Sequence, residues 1–287
     1  MNRSHIKYIS GLLLFGLNGI VSAKINLSSY EIVFFRTLFG GMFLLLLYLW
    51  INRNARKSMS ETSKKEYLYI LLSGIFMGLS WIFLYEAYRR IGVGLSSITY
   101  YCGPVIVMLS SPFVFRKKIS LKQFLCFIVV FAGILLVSLP GLSGKASVDA
   151  FGLFCGFASA FLHALMVIFT MKAPHITGLK NSMLQLVISF FTVAVFLPFE
   201  HGVHIPENPH QWFWVLFLSF INTGVGCYLY FSETAKLPVT SVSILGYLEP
   251  LSAVFFAVIL LHEALSLPEI IGAVMILGGA IISELNG

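Results

Sequence analysis

Long apolar runs, separated by short polar or charged connectors, follow one another along the whole chain. A membrane-spanning helix needs about 20 mostly apolar residues, so ten such helices take up about 200 positions and leave only short connections. The pattern therefore predicts an all-α integral membrane protein with ten transmembrane helices and no sizeable soluble domain. The predicted helices cover residues 7–24, 30–51, 67–88, 93–115, 121–139, 150–171, 179–199, 212–234, 238–261 and 267–284.

Composition and charge support a membrane protein. Hydrophobic residues make up 58% of the chain and charged residues 11%, whereas soluble domains carry about 25% charged residues. The net charge of +7 is spread over short connectors rather than along one face, so we expect no nucleic-acid partner. The cysteines lie singly in apolar runs without metal-ligand spacing, so we expect no metal and no cofactor; they are Cys102, Cys126, Cys155 and Cys227.

The N-terminal run ends in Val21-Ser22-Ala23, which resembles a signal-peptide cleavage site. Because another apolar run begins within a few residues and no secreted domain follows, we interpret it as the first transmembrane helix. With the N-terminus inside, fourteen Lys and Arg residues fall on cytoplasmic connectors and four on outer ones. Cytoplasmic connectors are enriched in these residues, so the count predicts that both termini are cytoplasmic.

The sequence contains an internal duplication. Residues 91–137 align with residues 237–283 without a gap, and the shift places Tyr101 on Tyr247, Pro104 on Pro250 and Gly133 on Gly279. We therefore predict a first five-helix repeat over residues 1–145 and a second over residues 146–287. Five is an odd number, so the second copy is expected to be inverted in the membrane. Inverted repeats of this kind place a binding site near the membrane midplane between them.

Three groups of residues, together with the duplication, resemble those of a known protein family. The chain contains Ala87-Tyr88-Arg89-Arg90 ahead of Pro104, then Tyr247-Leu248-Glu249-Pro250, and finally His262-Glu263 followed by Gly272 and Gly279. Together with the duplicated layout, they resemble the EamA-type carriers of the drug/metabolite transporter superfamily. The resemblance implies a carrier in the bacterial inner (plasma) membrane, usually an exporter of amino acids or other metabolites. It also implies a central cavity lined by the predicted helices 1, 3, 4, 6, 8 and 9.

Two enzyme-like fragments lack residues that their chemistry requires. His262-Glu263 begins a zinc-binding HExxH pattern, but Ser266 stands where the second histidine belongs. Gly144-Lys145-Ala146 resembles a phosphate-binding loop, but Ala146 has no hydroxyl group for magnesium. We predict that the protein is not an enzyme.

Ionisable residues inside predicted helices are candidates for transport chemistry, because a charge in hydrocarbon costs several kcal/mol. Glu249 and His163 lie deepest, so we expect them to contact substrate or to carry a coupling proton. A hydrogen-bonded core histidine and a role of Glu249 in helix geometry are the alternatives. Glu86 with Arg90, and Glu233 with Lys236, are expected to form structural pairs near helix ends. Arg36 is expected to reach the outer membrane interface as an anchor.

Proline and aromatic residues add further candidates. Pro104 and Pro250 are expected to kink two matching helices, and Tyr101 and Tyr247, one turn earlier, to form two walls of one pocket. Trp81 lies away from the interface where tryptophan usually anchors a helix. Ordinary helix packing is the alternative for each. The predicted substrate-binding residues are Asn18, Trp81, Tyr85, Tyr101, His163, Tyr230, Tyr247 and Glu249.

These observations predict a secondary transporter that works by alternating access and exports amino acids or related amines. Aromatic rings around a carboxylate suit an ammonium group. The expected partners are a small-molecule substrate, the lipid bilayer and protons, and the sequence gives no indication of oligomeric state. An importer of a quaternary amine, a vitamin or a nucleoside-like solute is the alternative, and a non-transporting membrane receptor is a further one.

Overall fold

The computed structural model describes residues 3–53, 63–116, 119–138, 149–196, 203–206, 208–261 and 267–284. Throughout this part of the chain the regular structure is helical. A π-helical segment, Leu218–Val225, joins two of the helices. The α-helices are α1 Arg3–Phe15, α2 Asn18–Ser22, α3 Ser29–Asn52, α4 Lys64–Tyr100, α5 Cys102–Val114, α6 Leu121–Ser138, α7 Ala150–Met171, α8 Gly178–Ala194, α9 Pro209–Phe217, α10 Gly226–Thr234, α11 Val239–Leu245, α12 Leu248–Leu261 and α13 Leu267–Glu284.

Within the described ranges, four helices are long and apolar enough to cross a membrane: Ser29–Asn52, Lys64–Gly92, Ala150–Met171 and Pro209–Thr234. Three shorter apolar helices, Cys102–Val114, Leu121–Leu136 and Ile270–Gly279, accompany them. The all-helical membrane architecture is therefore confirmed, whereas the count of ten spans stays a prediction. The predicted boundary between the repeats, at 145–146, lies outside the described residues, as do His262, Glu263 and Ser266.

Local sequence determines where several helices begin. The Ser28 hydroxyl accepts a hydrogen bond from the Glu31 amide at 3.3 Å, and the Glu31 carboxylate accepts one from the Ser28 amide at 2.8 Å, which forms a capping box at α3. Asp149 caps α7 by accepting from the Phe151 amide at 2.9 Å. Hydrogen bonds from Arg90 and from this amide hold the pKa of the Asp149 carboxyl below its ordinary value.

Three predicted helices are interrupted. The helix predicted over 7–24 breaks between α1 and α2, and the one predicted over 93–115 breaks at Tyr101, just before α5. The helix predicted over 238–261 breaks at Gly246 and Tyr247, between α11 and α12. The predicted third and fourth helices are instead continuous in α4 up to Tyr100, apart from a bend at Gly92, where φ is 78°. Glycine tolerates that conformation because it has no Cβ.

The two prolines have a different role from the predicted one. Pro104 is the third residue of α5, and Pro250 is the third residue of α12. An amide in the first turn of a helix has no carbonyl partner within its own helix, so proline removes no helical hydrogen bond there. The kinks predicted inside continuous helices are therefore breaks between helices, and each proline lies at the start of the second piece.

Packing between α6 and α13 reproduces the repeat residue by residue. A Cβ atom at Gly133 would meet the carbonyl oxygen of Gly272 at 2.8 Å, and one at Gly279 would meet that of Cys126 at 3.2 Å. Gly133 and Gly279 are equivalent under the 146-residue shift, and so are Cys126 and Gly272. Such reciprocal contacts are what two copies related by a two-fold axis produce. They confirm the two-repeat architecture.

The other contacts between the halves follow the same rule. Helix α4 packs on α7, and α1 packs on α10. In the second repeat α10 is the equivalent of α4 and α7 is the equivalent of α1, so these two interfaces correspond to each other. Helix α3 packs on α8, its own equivalent in the second repeat, and α5 packs on α11. The most extensive interfaces, between α4 and α7 and between α6 and α13, thus join one repeat to the other, although α8 and α10 also pack together within the second repeat. A space enclosed by interfaces between the repeats is shared by the two.

Substitution at the α6–α13 interface tests this packing. Gly279→Ala is expected to lower the free energy of unfolding by about 1 to 3 kcal/mol, because the added methyl group overlaps Val130, whose Cγ2 lies 2.5 Å from the Cβ position. Gly278→Ala, one residue earlier, is the control: nothing lies within 4 Å of its Cβ position. There alanine should be neutral or should stabilise the helix by up to about 1 kcal/mol. Thermal unfolding of the two purified variants gives the comparison, and equal midpoints would contradict the close approach.

Candidate functional site

A narrow cavity with a volume of about 50 Å³ lies between the two repeats, which is room for a few water molecules or one small functional group. The first repeat supplies walls from α1 to α5, and the second from α7, α10, α11 and α12. This arrangement includes the six helices implied by the resemblance and adds the predicted second helix, through Arg36. The lining residues named below are Tyr8, Phe15, Asn18, Arg36, Trp81, Tyr85, Tyr100, Tyr101, His163, Tyr230 and Glu249.

Seven of the eight predicted substrate-binding residues line this cavity. They come from five helices and from the break between α4 and α5, so only the folded chain brings them together. Their contact with a substrate stays a prediction. The seven are Asn18, Trp81, Tyr85, Tyr101, His163, Tyr230 and Glu249.

Tyr247 lies elsewhere, which corrects the prediction that it forms a second wall with Tyr101. Its side chain is completely buried, and its hydroxyl donates to the Tyr101 carbonyl at 3.1 Å. Its ring packs against Phe127 of α6, with 6.2 Å between ring centroids. The two equivalent tyrosines thus meet where the two interrupted helices cross, and Tyr247 stabilises that crossing instead of lining the cavity.

The predicted position of the Arg36 side chain, at the outer membrane interface, is wrong. Its side chain does not extend to the membrane interface: the residue is 1% exposed. Its guanidinium carbon lies 3.9 Å from the centre of the Trp81 ring, a cation–π contact. Its Nε donates to the Thr223 hydroxyl at 3.0 Å, and its Nη1 donates to the Tyr85 hydroxyl at 2.7 Å. Arg36 is therefore a fixed positive charge in the wall of the cavity.

The π-helical segment positions one of these partners. Thr223 donates its hydroxyl proton to the Leu218 carbonyl at 2.8 Å, five residues earlier, which leaves its oxygen as an acceptor for Arg36. Asn222, in the same segment, donates to the Asn18 side chain at 3.2 Å and to the Leu14 carbonyl at 3.3 Å. The π-helical segment thus connects the second repeat to Arg36 and to the break between α1 and α2 through hydrogen bonds. Single π turns inside α-helices often occur at functional sites.

Glu249 is the acidic side chain among the described lining residues. It is the second residue of α12, where the exposed amides of the first helical turn favour a negative charge. Its carboxylate has no hydrogen bond or ion pair with a residue in the described ranges, although the charge of Arg36 lies within electrostatic range. The cavity therefore contains one cation and one acid that do not neutralise each other by direct contact.

His163 and several tyrosines complete the polar lining. The His163 Nδ1 atom lies 2.8 Å from the Tyr100 hydroxyl, and the Tyr8 hydroxyl donates to the Val242 carbonyl at 3.1 Å. The Tyr8 and Tyr230 rings are 4.9 Å apart, and Phe15 lies 5.6 Å from Tyr230. Glu249 thus shares the cavity with polar aromatic rings contributed by both repeats.

Ion pairs outside the cavity agree with the structural roles expected for them. Glu86 of α4 accepts from Arg90 at 2.6 Å and from Arg89 at 2.8 Å, and Arg90 also pairs with Asp149 at 3.1 Å. These contacts join α4 to the start of α7. The structure therefore confirms the Glu86–Arg90 pair.

A second cluster of ion pairs forms at α10. Glu233 pairs with Lys236 at 3.1 Å and with Lys7 of α1 at 3.5 Å. The predicted Glu233–Lys236 pair is confirmed, and the contact with Lys7 is additional. Since α1 and α10 are the counterparts of α7 and α4, the two ionic clusters occupy related positions in the two repeats.

Known proteins share both the sequence pattern and the fold. The sequence model of the EamA-like transporter family matches residues 4–139 and again residues 150–285. Uncharacterized transporter YxxF of Bacillus subtilis (strain 168) is 26% identical over 96% of this chain and 87% of its own length. Uncharacterized transporter YetK of the same organism is 25% identical, over 88% and 77%.

A solved crystal structure with 14% sequence identity superimposes with a TM-score of 0.82, covering 100% of this chain and 99% of the other. At that identity the likeness concerns the fold alone. The function is indicated instead by the family match, which covers both repeats and nearly the whole chain. The protein therefore belongs to the EamA-like transporter family and is a membrane transporter, not an enzyme.

Proposed function

We propose that the protein is a secondary transporter that exports amino acids or related amines across the bacterial inner membrane by alternating access. In this mechanism the two repeats, one inverted relative to the other, move against each other and open the shared cavity to one side of the membrane at a time. The reciprocal packing between the repeats supports such a motion, because equivalent contacts can form in either half. The distribution of basic residues supports cytoplasmic termini.

The observation that carries the proposal is the position of Glu249 in a cavity with aromatic walls from both repeats. A carboxylate attracts a substrate ammonium group, and a cation over an aromatic ring gains about 0.5 to 2 kcal/mol. Tyr101 and Tyr230 supply such rings, whereas the Trp81 ring already carries the Arg36 guanidinium. An amine or amino-acid group therefore suits this space better than a purely apolar solute does.

Two residues are candidates for coupling transport to protons. Glu249 has no direct partner among the described residues, and His163 has one side-chain hydrogen bond there, through Nδ1, so both can exchange a proton with the cavity. A proton on Glu249 removes the charge that attracts an ammonium group. Proton binding and substrate binding at Glu249 would then compete, which is the requirement for exchange of a proton against a substrate.

A ligand screen followed by flux measurement tests the proposal. The purified protein is first heated with amino acids, amines, vitamins and nucleosides, because a ligand that binds the folded state raises its unfolding temperature. Each stabilising solute is then loaded into proteoliposomes, and its movement is followed with and without an imposed pH gradient. We expect an amino acid or amine to move against its own gradient when the pH gradient is present.

The direction of flux separates the proposal from the importing alternative. In sealed cells, an exporter lowers the internal level of the solute, whereas an importer of a quaternary amine, vitamin or nucleoside-like solute raises it. Flux that is indifferent to the pH gradient would contradict proton coupling. Stabilisation by a solute without any flux would instead support a receptor.

A further inference from the structure

Arg36 is held in place by its neighbours but keeps unused hydrogen-bonding capacity. An arginine side chain has five N–H donors and no acceptor. Nε and Nη1 each have a partner, whereas the buried Nη2 atom has no hydrogen-bond partner among the described residues. Buried donors in folded proteins are nearly always paired, and an exception often marks the place of a ligand or water molecule.

A second donor lies beside it. The Tyr85 hydroxyl oxygen accepts from Arg36 Nη1 at 2.7 Å, so its own proton remains available, and no acceptor for it occurs in the described part of the chain. Tyr85 and Arg36 both line the cavity. The remaining polar groups here are therefore donors from a permanently charged side chain and from a hydroxyl. A group that satisfies both must be an acceptor, and a negatively charged acceptor gains most.

The positive charge itself also lacks a direct counter-ion. No carboxylate in the described ranges lies within 4.0 Å of the Arg36 guanidinium, and Glu249 interacts with it only at longer range. Stacking on Trp81 and the contacts with Thr223 and Tyr85 fix the plane of the guanidinium without neutralising it. A planar guanidinium held rigidly is suited to a planar carboxylate, which binds through two parallel hydrogen bonds.

We propose that Arg36 and Tyr85 form an anion subsite that binds the carboxylate of the transported substrate, while Glu249 receives its ammonium group. This inference rests on the proposed transport function and narrows its substrate class to zwitterions such as α-amino acids. Simple amines and quaternary amines lack the carboxylate and would leave Arg36 unpaired. The repeats contribute unequally to the subsite: Arg36 and Tyr85 come from the first, and Glu249 comes from the second.

Matched ligands measure separately what the carboxylate and the ammonium group of a zwitterion contribute to binding. The probes are the common amino acids, their amides, which keep the ammonium group but lack the carboxylate, and their N-acetyl derivatives, which keep the carboxylate but mask the amine. Thermal unfolding of the purified protein is measured with each probe over a range of concentrations. We expect at least one amino acid to raise the unfolding temperature and its amide to bind at least about tenfold more weakly.

Substitutions of Arg36 and Tyr85 test whether these two residues cause the preference for the amino acid over its amide. Arg36→Gln should abolish the preference for the amino acid over its amide. Arg53→Gln, an exposed arginine at the end of the same helix, is the control and should keep the preference. Because Arg36→Gln removes a buried group and can impair folding, Tyr85→Phe is the second variant. It leaves Arg36 in place and should weaken binding of the amino acid several-fold while leaving binding of the amide unchanged.

Several results would overturn the subsite. They are equal stabilisation by amino acids and amides, a preference that survives in Arg36→Gln, a preference that is undiminished in Tyr85→Phe, and a wild-type protein that no carboxylate probe stabilises. Flux in proteoliposomes is scored separately. Flux of amines without a carboxylate requirement contradicts the subsite and leaves the transport function intact. Binding that depends on Arg36, without flux of the bound amino acid, contradicts transport and leaves the subsite intact.

Discussion

Glu249→Gln is expected to lower the rate of transport at least about tenfold, equivalent to about 1.4 kcal/mol in activation free energy, and to flatten its dependence on pH. The substitution keeps the size and shape of the side chain but removes its negative charge and its ability to exchange a proton. Glutamine can still accept a hydrogen bond from an ammonium group. The loss therefore measures the charge and the proton rather than the volume of the side chain.

Flux measured from pH 5.5 to 8.5 in proteoliposomes checks this expectation. Glu86→Gln is the matched control, because Glu86 lies outside the cavity lining and pairs with Arg89 and Arg90. The control is expected to unfold at a lower temperature and to keep the pH dependence of the wild-type protein. If Glu249→Gln transports with the wild-type rate and pH profile, Glu249 has no role in substrate binding or coupling.

Trp81→Ala is expected to have the second large effect, on both stability and binding. The ring is 9% exposed and stacks on the Arg36 guanidinium at 3.9 Å. Removing a buried tryptophan usually costs about 3 to 5 kcal/mol of stability, and we expect the lower end here because the ring already borders a cavity. Losing the stack should also let Arg36 change its orientation, which weakens binding of a carboxylate substrate.

Thermal unfolding and amino-acid binding of the Trp81 variants separate these two effects. Trp81→Phe keeps an aromatic face and should retain most of the binding, whereas Trp81→Ala should not. Trp50→Ala, in which the replaced residue is 72% exposed on α3, is the control for loss of a tryptophan without loss of the stack. Equal unfolding temperatures for Trp81→Ala and Trp50→Ala would show that the Trp81–Arg36 contact contributes little.

The repeat could be predicted from the sequence because it leaves a direct trace. The gapless 146-residue shift pairs Gly133 with Gly279, and in the structure these two glycines make reciprocal contacts between α6 and α13. The helix breaks were harder to foresee. Apolar residues continue through Tyr101 and Tyr247, so hydropathy alone gives no sign that the helix stops and starts again there.

Arg36 could not be placed from its own helix. It lies about 10 Å along α3, a distance that a long side chain can span to reach the membrane interface. Its actual partners, Trp81, Tyr85 and Thr223, belong to segments 45 to 187 residues further along the chain. Only tertiary packing brings them together. Glu249 and His163, which were selected by their depth within a helix, line the cavity, whereas the same criterion failed for the arginine.

Repeat symmetry was also a poor guide to which equivalent residues face the cavity. Tyr101 and Tyr247 are equivalent in sequence, but the contact between them turns one to the cavity and the other into the packing around α6. The position equivalent to Glu249 in the first repeat is Gly103, which packs closely on Ala160 and His163 instead. A binding site for an asymmetric solute requires such differences between the copies.

Counterflow in proteoliposomes tests the central proposal most directly. Vesicles that contain the purified protein are loaded with an unlabelled amino acid that stabilises it, and uptake of the labelled amino acid is followed with no other energy source. Alternating access through the shared cavity predicts transient accumulation of label above its outside concentration, which Glu249→Gln greatly reduces. Label that never exceeds its outside concentration, in vesicles whose protein still binds the amino acid, would contradict the proposal.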